Sequence, residues 1–363
     1  MSALPSAATL QRLWYTRCPA PTPFGIAIQQ GRLEREFAND GLEIKALQDA
    51  ADASIRLSHY THSQPHSFRQ GGNIPALWAR SKGARTRVIG LSWVDEFQGL
   101  IALPSSGVKT PADLNGRRFG LPRNTRTTVV DFHRATALRG FTSLLDAAEL
   151  SIDDVRLVPL DNAPRNLSDG APVRDQGPQS LLETERAQEF SREVLALVRR
   201  EADVVFVKGA SGLEAANLIG ARVIIDTSAQ SNRLLHANNG NPRPLTVDSE
   251  LLEQHPDIVA RVLACTIGAG EWASAHAEEV RAYIGRETRA AEHWVRYAYP
   301  ANLHEQLKIE LEPRDIAAFG SFKDFLLKHA FIPADFDIDA WIDPAPLAAA
   351  RRLLAAKRLT TAA

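Results

Sequence analysis

Short β-rich runs, each closed by a glycine, proline or capping turn and followed by a helical stretch, recur from residue 10 to residue 226. That alternation limits the fold more than any other feature of the chain. Residues 10–16 read as a strand that leads into a turn at Cys18, then a helix over 24–38 with Gly41 near its end. Leu42 to Leu47 alternates as a strand does. Residues 74–81 read as a helix, 86–91 as a β-branched run, and 98–103 as a strand closed by Pro104-Ser105-Ser106-Gly107. Thr110 caps a one-turn helix with Pro111 in its first position and Gly116 at its end. A strand over 118–121 follows, and Asn124-Thr125-Arg126-Thr127 reads as the start of a further helix. Helices over 129–139 and 141–148, a strand over 155–159, and a long Pro- and Gly-rich loop over 162–180 come next. A helix over 183–200, a buried strand over 202–207, a turn at Lys208–Gly212 and a strand over 222–226 complete this part. From residue 249 the pattern is helical, near 250–275, 277–283, 286–297, 314–329 and 346–356.

Strands alternating with helices, then a helical C-terminal third, predict an α/β protein of two lobes with a cleft between them. The first lobe is expected to comprise 1–103 and 226–363, and the second, closing lobe 104–225. Loops at the strand C-termini would line the cleft. A chain of 363 residues is long enough for two such lobes. Its formal net charge of −1 gives no reason to expect nucleic acid or an anionic membrane as partner. No apolar stretch is long enough to cross a bilayer. The first twelve residues lack both the basic start and the apolar segment of a secretory signal, so the expected location is the cytoplasm.

Two cysteines occur, in unlike settings. Cys265 lies in an apolar helical run and reads as core. Cys18 lies at a strand-to-helix turn, where a helix N-terminus would favour the thiolate. The polar cluster from His59 to Asn73 is the one other strong candidate in the first hundred residues. Arg69 offers a planar fork of donors for an oxyanion, and Gly71-Gly72 lets backbone amides approach a ligand closely. Cysteine, histidine, arginine and paired glycines are the parts needed to hold an anion and to attack or protonate it. Thr125, at the expected helix start, is a further anion-binding candidate. His59, His62 and His66 have helical spacing, but Pro65 and the polar residues between them argue against a regular helix, and no carboxylate or second cysteine completes a zinc-like set. Trp14, Trp78 and Trp93 read as core rather than as walls of a site.

Two motifs carry a resemblance. Thr110–Pro122 resembles the lobe-crossing segment of type II periplasmic binding proteins, particularly those for sulfonates and thiamine precursors. Cys18-Pro19-Ala20-Pro21, together with His59-Tyr60-Thr61-x-x-Gln64-Pro65-x-x-x-Arg69-x-Gly71-Gly72-x-Ile74-Pro75, is similar to the cytoplasmic aromatic sulfinate desulfinases built on that fold. The resemblance implies catalytic roles for Cys18, His59 and Arg69, with Gly72, and beside it Gly71 and Gln64, at the substrate. The implied reaction is cleavage of the C–S bond of an arenesulfinate with release of sulfite, needing neither cofactor nor metal. The partner would be a small aromatic anion. Two routes stay open: Cys18 protonates the ring, or Cys18 attacks sulfur, while Arg69 and the Gly72 amide hold the sulfinate. Residues 124–145 depart from the family's pattern. Two other readings share the fold: a solute-binding protein for a sulfonate, sulfinate or related anion, and a lyase such as an aromatic decarboxylase.

Overall fold

The computed structural model describes residues 10–125, 127–161, 189–229 and 232–362. The loop expected over 162–180 lies outside these, as do residues 1–9. In chain order the described strands are β1 (Arg12–Arg17), β2 (Glu43–Ala46), β3 (Ser67–Gln70), β4 (Thr86–Ser92), β5 (Gln98–Ala102), β6 (Arg118–Arg123), β7 (Arg156–Asp161), β8 (Val204–Lys208), β9 (Arg222–Asp226) and β10 (Arg243–Asp248). They form two five-stranded sheets, ordered β2-β1-β3-β10-β4 and β7-β6-β8-β5-β9. This is the two-lobed α/β architecture that the alternation predicts.

Both sheets follow one plan. β1 pairs in parallel with β2 and β3, and β6 with β7 and β8, so each lobe has a parallel centre reached through helical crossovers. One strand in each sheet runs against the rest: β10 between β3 and β4, and β5 between β8 and β9. Those antiparallel strands are the first in chain order after each passage between sheets. The chain crosses from β4 to β5 and returns from β9 to β10. β5 therefore belongs to the second sheet, and the lobe division expected at residue 103 falls before Gln98. The buried Val204–Val207 run matches a strand covered on both faces.

The helices labelled here are α1 (Pro23–Gln29), α2 (Arg32–Glu36), α3 (Ala53–Thr61), α4 (Asn73–Ser81), α5 (Phe132–Asp146), α6 (Ser191–Val198) and α7 (Gly209–Leu218). The single helix expected over 24–38 is broken at Gly31, whose φ of 63° is left-handed. The two helices expected over 129–148 are one, α5, with Gly140 inside it; it starts at Phe132 behind an Asp131 cap, not at Asn124–Thr127. Pro256 splits the long helix expected over 250–275, and Arg289, left-handed, sets the later break expected near residue 284. The Thr110–Asp113 capping box and the helix Pro313–Lys328 match the expectation. Among the elements labelled here, α3, β3 and β10 were not expected. α3 is only weakly amphipathic, and β3 is a four-residue strand of mixed polarity, so neither carries a clear periodic signal.

One core joins β1, α1, β10 and the helix Pro256–Ala273 through Leu13, Phe24, Leu245 and Val262. The other joins β6, α5 and β8 through Phe119, Phe141 and Phe206. A Cβ on Gly140 would lie 2.2 Å from the Phe206 ring, so this glycine sets how closely α5 seats on β8. Gly140→Val is expected to destabilise the fold by about 1–3 kcal/mol through overpacking, read as a lower urea midpoint with an unchanged slope.

Candidate active site

Open α/β sheets gather ligands beyond the C-terminal ends of their parallel strands. Here β1 ends at Cys18, β3 at Gly71-Gly72, and β8 at Lys208. These ends line a cavity of about 170 Å3 between the sheets, walled also by His59, Tyr60, Phe132, Phe206 and Arg243.

Cys18 is fixed through its backbone, since its N–H donates to Gln70 O at 3.0 Å. Its sulfur meets three groups. Arg69 Nη2 donates to Sγ at 3.3 Å, and His59 Nε2 stands 3.7 Å away. The Gly72 N–H, at the start of α4, also bonds the sulfur. Burial by itself would push the thiol up. The Arg69 guanidinium, then His59, then the Gly72 N–H outweigh it and bring the thiol down to about 5. At neutral pH the side chain is a thiolate. A helix N-terminus does face Cys18, as the sequence suggested, but it belongs to α4: α1 starts only at Pro23, behind Thr22.

His59 is held from its other side. Its Nδ1 lies 2.7 Å from Thr16 Oγ1, which accepts from Gln48 Nε2 at 2.6 Å. An imidazolium there donates at both nitrogens, to Thr16 and to the sulfur. Arg69, on β3, donates from Nε to His59 O at 3.1 Å, so one guanidinium positions both the histidine and the sulfur. Arg69 is buried behind the cavity wall, with Nη1 lacking a partner among the described residues. Its guanidinium donates to Cys18 and His59.

The two glycines act by absence of a side chain. A Cβ on Gly71 would stand 2.3 Å from Cys18 Sγ, and one on Gly72 would stand 2.6 Å from Asn239 Oδ1. Asn239 accepts the N–H of Asn73 through its carbonyl and that of Ile74 through Oδ1, docking the start of α4.

Cys18, His59, Arg69, Gly71 and Gly72 are thus brought together. Gln64 and Thr125 are not. Gln64 turns its side chain to Pro65 O outside the cavity, because the chain leaves α3 through a left-handed His62. Thr125 is exposed on the strand-to-helix connection, since α5 starts seven residues later. The turn after Thr61 also takes His62 and His66 off the face that His59 occupies. Trp14, Trp78 and Trp93 stand away from the cavity. Its aromatic walls are Tyr60 and Phe132, one from each lobe and stacked at 6.2 Å, with Phe190 and Phe206. Cys265 is partly buried, its thiol pushed up to about 11 by burial. Sequence reasoning missed Lys208, Arg243 and Glu96, which meet in the cavity wall from three separate segments. It also missed His133 and Glu193, both driven toward the neutral form by burial, His133 down to about 4.

Fold and site define a two-lobed type II periplasmic-binding-protein-like architecture whose cleft carries an ionised thiol. The same reading comes from comparison with known proteins. Residues 37–170 match the family model described as NMT1/THI5 like. The whole chain is similar to the 2′-hydroxybiphenyl-2-sulfinate desulfinases of Rhodococcus erythropolis and Rhodococcus qingshengii, 26% identical over 93% of this chain and 93% of each relative. Among solved structures it superposes on a DszB mutant in complex with biphenyl-2-sulfinic acid, with a TM-score of 0.72 at 24% identity over 94% of this chain and 99% of that one. It also superposes on the periplasmic aliphatic sulphonate binding protein SsuA from Escherichia coli, with a TM-score of 0.61 at 15% identity over 92% of both chains. The resemblance that the two motifs carry therefore holds along the chain.

The contrast between the thiols gives a direct test. Iodoacetamide below neutral pH is expected to label Cys18 alone, with a rate that falls as pH drops through about 5. In Arg69→Met that midpoint moves up toward the ordinary thiol value of about 8.5.

Proposed function

We propose that this chain is an enzyme that cleaves the C–S bond of an aromatic sulfinate and releases sulfite, with Cys18 as nucleophile. The observation that carries the reading is the thiolate: a sulfur with its acidity raised by Arg69 and His59 and set in the wall of the cavity between the sheets. Reversible binding of an anion has no use for such a group, whereas covalent catalysis needs it. Similarity to the desulfinases over nearly the whole chain supports the same reading.

The reaction balances without an external oxidant or reductant. The Cys18 thiolate attacks sulfinate sulfur, the C–S bond breaks with its electron pair going to the ring carbon, and that carbon takes the proton that His59 received from the thiol. The sulfur adduct on Cys18 is then hydrolysed: water supplies oxygen to the departing sulfite, and the thiolate returns. In this reading Gly72 and Arg17, which line the cavity with Cys18, meet the sulfinate oxygens. Arg69 keeps the sulfur ionised before attack and receives it again as a thiolate when the adduct is hydrolysed. Tyr60, Phe132 and Phe206 suit an arene. A thiolate that must stay reduced suits the cytoplasm, the compartment we assign.

The second reading is a solute-binding protein for a sulfonate, sulfinate or related small anion, favoured by the full-length superposition on SsuA. One experiment separates the two. Purified protein given 2′-hydroxybiphenyl-2-sulfinate is expected to release sulfite, Cys18→Ser to release none, and Arg69→Lys to lose at least about tenfold because the fork that reaches both sulfur and His59 O is gone. Sulfite release by Cys18→Ser at the wild-type rate would remove Cys18 from the chemistry. Tight reversible binding with no sulfite from the wild type would favour the binding protein.

A further inference from the structure

The cavity wall holds a second polar group that the proposed chemistry leaves unused. Glu96, in the first passage between the sheets, is buried and meets two cations. Lys208 Nζ lies 2.8 Å from Oε1, and Arg243 Nη2 lies 3.3 Å from Oε2. Burial would raise this carboxyl, but Lys208 and then Arg243 outweigh it and keep it ionised. One carboxylate thus serves two cations that both line the cavity.

Neither cation is saturated. Of the three Nζ–H donors of Lys208, one is met by Glu96 among the described residues, and the ammonium keeps access to the cavity. Arg243 is fully buried; it donates through Nη1 to Val94 O and Asn241 Oδ1 and through Nη2 to Glu96, while its Nε has no partner among the described residues. Lys208 also stands immediately before α7, whose first turn has no side-chain cap. Of the other carboxyls lining the cavity, Glu193 is pushed toward its neutral form by burial, and Glu189 has a partner of its own. An unsaturated buried cation favours a ligand that brings the missing charge.

Position separates this group from the sulfur. Gly72, whose N–H bonds Cys18, abuts Asn239, and the next residue is Gly240. A Cβ on Gly240 would lie 3.3 Å from Lys208 Nζ and would collide with Glu96 Oε1, so a glycine there leaves the ammonium open along the wall. With Cα atoms 3.8 Å apart along a chain, this path keeps Nζ within roughly 10 Å of the sulfur. One end of an aromatic ligand can meet Cys18 while a substituent at the other end meets Lys208.

We propose that Lys208, backed by Arg243, is a specificity-determining cation that takes a second anionic group, a carboxylate, on an arene whose sulfinate lies at Cys18. This rests on the desulfinase reading for the identity of the first group and goes beyond it in making the preferred ligand a dianion. The carboxylate displaces no ion pair: it adds to the free Nζ–H donors, while Glu96 stays with Arg243 and Lys208.

The test uses binding, so that it stands apart from turnover. Biphenyl-2,4′-dicarboxylate and biphenyl-2-carboxylate are titrated calorimetrically into the wild type, Lys208→Met and Lys208→Arg, with melting temperatures as the folding control. The wild type is expected to prefer the dicarboxylate by about tenfold, the scale of one charge-assisted bond in a partly buried site. Lys208→Met should bring that ratio close to one, and Lys208→Arg should retain most of it. A wild-type ratio near one, or a preference unaltered in folded Lys208→Met, overturns the proposal. Should the preference appear while no arenesulfinate releases sulfite, the dianion subsite stands and the desulfinase reading fails.

Discussion

The contact between Arg69 and Cys18 is the interaction on which the site depends. A thiol at the end of β1, packed under a closed cavity wall, is driven toward its neutral and inert form by burial. The Arg69 guanidinium does most to reverse that, with His59 and the Gly72 N–H behind it, because in a poorly solvated place a charge at 3.3 Å acts with little screening. Burial also weighs on Arg69 itself, and the Cys18 charge partly offsets it. Each ion is therefore the reason the other is tolerated there. His59 fits between them, its backbone carbonyl on Arg69 and its ring on the sulfur.

The fold supplies this contact through adjacent parallel strands. β1 and β3 pair in register, Thr16 with Arg69 and Arg17 with Gln70, so their C-terminal ends deliver Cys18 and Gly71-Gly72 side by side. Register alone places Arg69 opposite the residue whose hydroxyl orients His59. The second lobe contributes on the same principle, with Lys208 at the end of β8. The antiparallel strands β5 and β10 stand at the two passages between sheets; Glu96 lies just before β5, and Arg243 is the first residue of β10. Charge that holds the wall of the cavity is thus tied to the segments about which two lobes would hinge.

Much of the fold was legible because its signals are local. Alternation in Glu43–Ala46, the apolar run Val204–Val207 and the Thr110 capping box each announce an element without help from the rest of the chain. Elements whose signal is tertiary were missed. Ser67–Gln70 is a strand because β1 and β10 flank it, and Arg243–Asp248 because it closes the first sheet. Gly140 looked like a helix break and is instead a packing contact with Phe206. At the site, Cys18, His59, Arg69 and the glycine pair stood out because unusual residue types cluster there. Gln64 belonged to the same motif by spacing, and Thr125 was offered by an expected helix start, yet a left-handed turn and a late helix start put them elsewhere. Lys208, Glu96 and Arg243 come from segments more than thirty residues apart and carried no local mark.

The central claim is that the ionised sulfur, and not the thiol, is the active form. The dependence of kcat/KM for sulfite release on pH, followed from about pH 4 to about pH 8, tests it most directly. A rise through about 5, where Cys18 loses its proton, is expected. A profile that falls as pH rises past that same value would make the protonated thiol the active form and contradict it.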